Sequence, residues 1–295
     1  MLKNADAALY WTKEQGGNGI RYYAAAMNTR ALEWLLMEKH LHYALKRQEL
    51  ALHYQPQVDL NSGQVIGVEA LLRWRRPGLG MVPPAEFIPL AEKTGLILPI
   101  GAWVLRTACT QAKSWQDQGL PALRVAVNIS PRQFMRVNLA EQVARTLQDT
   151  GLAAPCLELE ITESLLMQDM ERGIATLHAL KAMGIQLAID DFGTGYSSLA
   201  YLKRFPIDRL KIDRSFVQDL TTDPDNAAIT EAVIALAHTM RLQVIAEGVE
   251  TEAQLAFLRS RSCNEIQGYY FSPPLPAEEV ASLLGIGTLS AGTLT

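Results

Sequence analysis

The sequence predicts an α/β fold, a modified TIM (β/α)8 barrel with the first strand antiparallel to the rest. Three observations carry this prediction. Eight short apolar runs, most ending at a polar residue, recur at 50–56, 65–71, 123–129, 156–161, 185–189, 207–212, 242–246 and, more weakly, 264–266. Helical patterns follow most of them, and near-continuous apolar strands alternating with helices indicate a parallel sheet buried on both faces. Only residues 59–63, with the turn-formers Asn61-Ser62-Gly63, separate the first two runs. That is too short for a crossover helix, so this pair is an antiparallel hairpin.

The elements follow in order. Residues 27–48 form an amphipathic helix, with Leu32, Leu35, Leu36, Leu41 and Leu45 near a 3.6-residue spacing. Pairing outward from the hairpin turn sets Gln55 opposite Val68 and Glu69, which brings Gln55 to the same barrel end as Glu69. Helical patterns then cover 84–118, 131–149, 164–183, 197–204, 225–240, 251–262 and 277–284. Ser130-Pro131 is an N-cap followed by proline at the first helical position. Thr251 to Gln254 reads as a capping box, and Asp223-Pro224-Asp225 opens another helix.

Composition narrows the function. The 295 residues are 48% hydrophobic and 20% charged, an ordinary globular mixture with room for one large barrel. A net charge of −4 gives no broad basic surface, so no duplex nucleic acid is expected as a partner. Cys109, Cys156 and Cys263 show no paired spacing, which suits a reducing compartment. No apolar run approaches the roughly 20 residues of a membrane span. We therefore expect a cytoplasmic chain without membrane contact of its own; missing upstream segments could still tether a longer protein.

The strand ends carry the chemistry. They present Glu69, Asn128, Glu160, Asp190 with Asp191, Lys211 with Asp213, Glu247 and Gln267. In a βα barrel these ends converge on one mouth. A lone acid after a strand is ordinarily a cap or a solvated loop residue, but here Ser130 and Thr251 already fill capping positions. Five carboxylates on one rim cannot all stay ionised unless protons or cations compensate them. Oxygen ligands with one amide suit hard divalent ions, and the set contains no histidine or cysteine to suit zinc. Paired ions about 3.5–4 Å apart are the usual arrangement for phosphodiester hydrolysis. Lys211, set in an apolar strand, reads as a surface edge residue in isolation and as functional beside such a cluster.

At this point the motifs resemble a known family. Glu69-Ala70-Leu71-Leu72-Arg73-Trp74 is similar to the signature of EAL domains, the bacterial cyclic di-GMP phosphodiesterases. The similarity continues in the family's order through Val127-Asn128-Ile129-Ser130, Leu159-Glu160-Ile161-Thr162-Glu163 and Asp190-Asp191-Phe192-Gly193-Thr194-Gly195. Leu210-Lys211-Ile212-Asp213, Ala246-Glu247-Gly248-Val249-Glu250-Thr251 and Gln267-Gly268-Tyr269 complete it. The opening segment from Asn4 to Arg21 resembles the end of a GGDEF (diguanylate cyclase) domain. The expected organisation is a remnant of that domain and hinge at 1–28, the EAL barrel at 29–285 and a flexible tail at 286–295.

The resemblance implies hydrolysis of cyclic di-GMP to linear pGpG by water activated between two Mg2+ or Mn2+ ions. It implies one ion held by Glu69, Asn128, Glu160 and Asp190, and a second by Asp190, Asp191 and Glu247, with Asp190 shared. Gln55, Leu72, Arg73, Asp213 and Gly248 occupy the positions that contact the dinucleotide, and the planar guanidinium of Arg73 suits a phosphate. Lys211 would orient the water and offset charge, or relay its proton if its pKa is lowered. Gln267 would hold the water network, and Glu250 would partner Lys211 or a metal water. Glu163 with Phe192, Gly193, Thr194 and Gly195 would form a regulatory loop coupled to a homodimer interface. The alternative is a catalytically weak EAL module acting as a cyclic di-GMP receptor. An enolase-type barrel also uses strand-end acids and a lysine, but residues 1–48 are too few for its capping domain.

Overall fold

The computed structural model describes residues 25–136, 138–166, 170–194 and 202–285. The GGDEF-like segment expected at the N-terminus, most of the helix expected at 197–204, Gly195 and the tail after 285 lie outside the described residues. The described chain divides into two compact units, one within residues 25–51 and 73–97 and the other within 52–72 and 98–285.

Nine strands are present among the described residues: β1 (Leu50–Asp59), β2 (Val65–Arg76), β3 (Gly80–Val82), β4 (Arg124–Asn128), β5 (Leu157–Thr162), β6 (Gln186–Phe192), β7 (Arg209–Ile212), β8 (Gln243–Ala246) and β9 (Glu265–Gln267). In the first unit, helix α1 (Ala25–Ala44) packs on α2 (Pro84–Thr94). Trp74 is fully buried there, edge-on to Phe87 with ring centroids 5.5 Å apart. Its indole Nε1 donates to Glu49 Oε2 at 3.1 Å, which satisfies the polar end of a buried ring. The short strand β3, which the sequence pattern did not mark, pairs antiparallel with Trp74–Arg76 across a turn that includes Gly78 at φ +80°.

In the second unit, β2, β4, β5, β6, β7, β8 and β9 pair in that order and all in parallel. Strand β1 pairs antiparallel with β9 and also pairs with β2, closing eight strands into a barrel. The eight runs read from the sequence are these eight strands, and the hairpin reverses the first as its short turn requires. The connecting helices are α3 (Ile97–Asp117), α4 (Pro131–Phe134), α5 (Leu139–Thr150), α6 (Glu163–Leu166), α7 (Met170–Lys181), α8 (Arg214–Gln218), α9 (Pro224–Thr239), α10 (Glu252–Ser260) and α11 (Ala277–Gly285). Two expected helices divide. The one at 84–118 breaks at Gly95, a left-handed cap with φ 81°, and the one at 131–149 breaks after Phe134. The caps at Ser130 and Thr251 are both full capping boxes. No single helix among the described residues is long and apolar enough to cross a membrane.

One expectation is corrected. The strands are not uniformly apolar, because alternate residues face different media. Val125, Val127, Leu157, Leu159, Leu187, Ile189, Leu210 and Ile212 are buried on the outer face, each contributing about 1.5–3 kcal/mol relative to exposure. The residues of opposite parity face the barrel interior, and besides Ala126 and Ala188 they include the polar Arg124, Asn128, Glu158, Glu160, Asp190, Arg209 and Lys211. Near the strand starts lies a layer of two guanidiniums and two carboxylates. Arg124 Nη2 is 2.7 Å from Glu265 Oε2, Arg209 Nη2 is 2.8 Å from Glu265 Oε1, and both arginines also pair with Glu158. The second polar layer lies further along, at the mouth: two residues on for Glu160, Lys211 and Gln267, and four residues on for Asn128.

Candidate active site

The mouth layer is centred on Lys211, whose side chain is 1% exposed. Its Nζ lies 2.5 Å from Glu247 Oε1, 2.7 Å from Glu160 Oε2, 3.1 Å from Asp190 Oδ1 and 3.8 Å from Glu69 Oε2. Each side chain lies on, or immediately after, a different strand with inward parity. Parallel register sets Asn128 beside Glu160 and Thr162 beside Asp190. Glu69 is held by two amides: Asn128 Nδ2 donates to Oε1 at 2.6 Å, and Gln267 Nε2 donates to Oε2 at 2.5 Å. Gln267 also donates to Gln55 Oε1 at 3.1 Å, which places Gln55 at the mouth as the hairpin register requires.

Asp191 is held differently. Its φ is +54°, a left-handed conformation that costs a non-glycine residue, and it sits where the β6–β7 register slips. Its backbone N–H donates to Asp190 Oδ1 at 3.0 Å, so the bulge turns two consecutive acids to the same rim. Asp213 caps α8 through Ser215 N and stands against Asp191. Gly248 follows Glu247 at φ +69°, and a Cβ there would lie 2.3 Å from Arg214 Cγ. Leu72 and Arg73 continue β2 beyond Glu69, half-buried. Glu163 opens α6, buried, with neither carboxylate oxygen hydrogen-bonded among the described residues. Phe192 is buried, Gly193 has φ +99° beside the Phe216 ring, and Thr194 Oγ1 donates to the Asp191 carbonyl at 2.8 Å.

Of the two partners expected for Glu250, Lys211 is not the one it meets. Glu250 is exposed and pairs with Arg214 at 3.0 Å rather than with Lys211. It lies beyond the end of β8, where the chain has left the barrel interior for the α10 cap, and its backbone N–H is tied to Gln254.

The electrostatics follow from one ammonium among four carboxylates. Burial alone would push Lys211 down, but Asp190, Glu160, Glu247 and Glu69 outweigh it and hold the lysine well above its ordinary value. In the metal-free site Lys211 is therefore a cation at neutral pH. Burial and the neighbouring Glu69 raise Glu160 well above the usual carboxylate range. Burial and Asp190 push Glu247 to about 8, against the pull of Lys211, and Asp191 to about 6. Glu69 goes the other way: Lys211 and the two amides overcome its burial and lower it.

Among the described residues no three acids, histidines or cysteines converge as ready metal ligands, because they close on the lysine ammonium. The donor set nonetheless fits hard divalent cations. It is all oxygen, it carries more negative charge than Lys211 balances, and Glu160 Oε1 is buried without a hydrogen bond. A pH dependence follows for the EDTA-treated chain. Glu247, Glu160 and Asp191 lose their protons at ordinary values when unfolded and only at higher pH when folded. Between the ordinary glutamate value of 4.5 and about 8, the folded state thus holds more protons, and stability falls as pH rises. Urea titrations at intervals across that window check this; a rising midpoint contradicts it.

The family model for the EAL domain matches residues 38–274. The chain belongs to the EAL domain family. It is 49% identical over 280 residues to the bifunctional diguanylate cyclase/cyclic di-GMP phosphodiesterase MucR of Pseudomonas aeruginosa, covering 95% of this chain and 41% of that protein. It is 46% identical over 284 residues to the cyclic di-GMP phosphodiesterase NbdA of the same organism, covering 96% of this chain and 36% of NbdA. The chain thus spans less than half the length of these relatives. Among solved structures, the PaMucR phosphodiesterase in complex with c-di-GMP superposes with a TM-score of 0.81 at 49% identity, covering 83% of this chain and 99% of that one.

This EAL domain also contains residues that strand-end reading passed over: Gln57, Arg124, Glu158, Arg209 and Glu265, all buried inside the barrel. The signal for them was present. Glu158, Arg209 and Glu265 lie two residues before Glu160, Lys211 and Gln267, at the parity that shares a face.

Proposed function

We propose that this chain hydrolyses cyclic di-GMP to the linear dinucleotide pGpG. The observation that supports this most is the convergence of Glu69, Glu160, Asp190 and Glu247 on Lys211, with Asn128 and Gln267 fixing Glu69. In this reading Glu69, Asn128, Glu160, Asp190, Asp191 and Glu247 would hold two divalent cations, Mg2+ or Mn2+. Such ions, when bound, stabilise charge on a phosphoryl oxygen and lower the pKa of water.

The chain's own residues do the rest. Water loses a proton and attacks phosphorus, the bond to the 3′ oxygen breaks, that leaving oxygen takes up a proton to become the 3′ hydroxyl, and the phosphate stays on the 5′ oxygen. Lys211, nearly dry among the acids, orients the attacking water and offsets negative charge as it develops there. Gln267 holds Glu69 rigid, while Gln55, Leu72, Arg73, Asp213 and Gly248 line the path of the dinucleotide. Glu163 steadies the loop that begins at Phe192.

The test is incubation with cyclic di-GMP and Mg2+ or Mn2+, with products resolved by chromatography. We expect pGpG with the wild type and none with EDTA or with Glu69→Ala. In the same assay Glu163→Ala lowers turnover with the melting temperature unchanged. Binding without cleavage would instead identify a receptor, and no binding would remove both readings.

A further inference from the structure

We infer that Gln57 is a positioning residue: it fixes which way round the Gln267 amide sits, and through that amide the orientation of Glu69. The kinetic readout below rests on the proposed phosphodiesterase reading; the structural readout does not.

Gln57 is fully buried on β1, between the two polar layers of the barrel. Its Oε1 accepts from Arg124 Nη2 at 2.7 Å, and its Nε2 donates to Gln267 Oε1 at 3.1 Å. Gln267 Nε2 then donates to Glu69 Oε2 and Gln55 Oε1. This chain has a fixed direction. A guanidinium can only donate, and an ionised carboxylate can only accept. Between an arginine at one end and Glu69 at the other, two amides fit in one orientation only. Turning either of them sets oxygen against oxygen, in a dry interior where an unmatched polar contact is costly.

A satisfied core glutamine would need none of this alignment. The neighbouring strand also makes room for it. A Cβ at Gly67 would lie 2.8 Å from Gln57 Oε1 and 3.1 Å from the Arg124 carbonyl oxygen, so a side chain on β2 would displace the link. Gly67 is two residues before Glu69, on the same face.

The experiment compares Gln57→Glu with Gln57→Met in the full chain. Gln57→Glu keeps the acceptor for Arg124 but presents oxygen to Gln267. The Gln267 amide must then turn, leaving its own oxygen against Glu69. We expect the Gln267 side-chain amide NMR signal, assigned by its loss in Gln267→Met, to move. We expect kcat to fall about tenfold or more with KM nearly constant, and the melting temperature to hold within a few degrees. Gln57→Met removes donor and acceptor alike without forcing the reversal, and should cost about threefold. An unmoved amide signal with wild-type kcat in Gln57→Glu overturns the inference. So does Gln57→Met being as damaging as Gln57→Glu, since packing alone would then explain both. If Gln57→Glu fails to fold, Gln57→Met and Gly67→Ala decide: an unmoved signal in both overturns it. If the wild-type chain does not cleave cyclic di-GMP, the proposed function falls while the amide signal still decides the role of Gln57.

Discussion

Lys211→Met is expected to lower kcat by about 100- to 1,000-fold, the range for removing a preorganised charge that faces developing negative charge. Methionine keeps the length of the stem, so the loss reads the ammonium rather than a cavity. Removing it leaves Glu69, Glu160, Asp190 and Glu247 with no cation between them. Breaking a buried charge pair by deleting one partner costs about 3–5 kcal/mol. The metal-free variant should therefore unfold at clearly lower urea concentration than the metal-free wild type. Saturating Mg2+ should narrow that gap, because the acids freed of the ammonium hold a cation more tightly, and at one Mg2+ concentration the tighter binder gains more stability. Stopped assays on cyclic di-GMP with matched urea titrations read both effects. A variant with wild-type kcat would show that the lysine serves the fold alone.

Arg209→Met should act on stability and spare the chemistry. Arg209 is 3% exposed and joins Glu158 to Glu265 across the barrel. Burial alone would lower its pKa, but Glu158 and Glu265 raise it. The substitution leaves two buried carboxylates sharing Arg124 and is expected to cost about 3–5 kcal/mol. For a chain of this size that amounts to a fall of roughly 10 °C in melting temperature. At low temperature the folded variant should keep kcat within about twofold, because Arg209 has no bond to the mouth layer. Calorimetry and assays at 15 °C separate the two. A melting temperature within 2 °C of wild type would mean the lower layer contributes little.

The two layers explain what was legible in the sequence. All eight barrel strands could be read because their outward residues are apolar with strand spacing, and the 59–63 turn forced the reversed first strand. The mouth acids were legible because each follows a short apolar stretch on or just past its strand, and those positions converge in any βα barrel. β3 and α8 were not, since three and five residues carry too little periodicity to register. The Arg214 partner of Glu250 was not legible, because Glu250 stands three residues past Glu247, where backbone direction after β8 decides the partner.

By itself the sequence determined the barrel, the reversal of its first strand, and the set of strand-end acids beside one lysine. These depend on local pattern, on spacing along one strand or across one turn. The folded structure alone decided that Lys211 gathers four carboxylates, that Asp191 turns through a left-handed bulge, and that Arg124, Gln57 and Gln267 link the lower layer to Glu69. Those facts depend on distances across the barrel between residues up to about two hundred positions apart. Such distances are set by closure and register of the sheet, which no stretch of chain encodes alone.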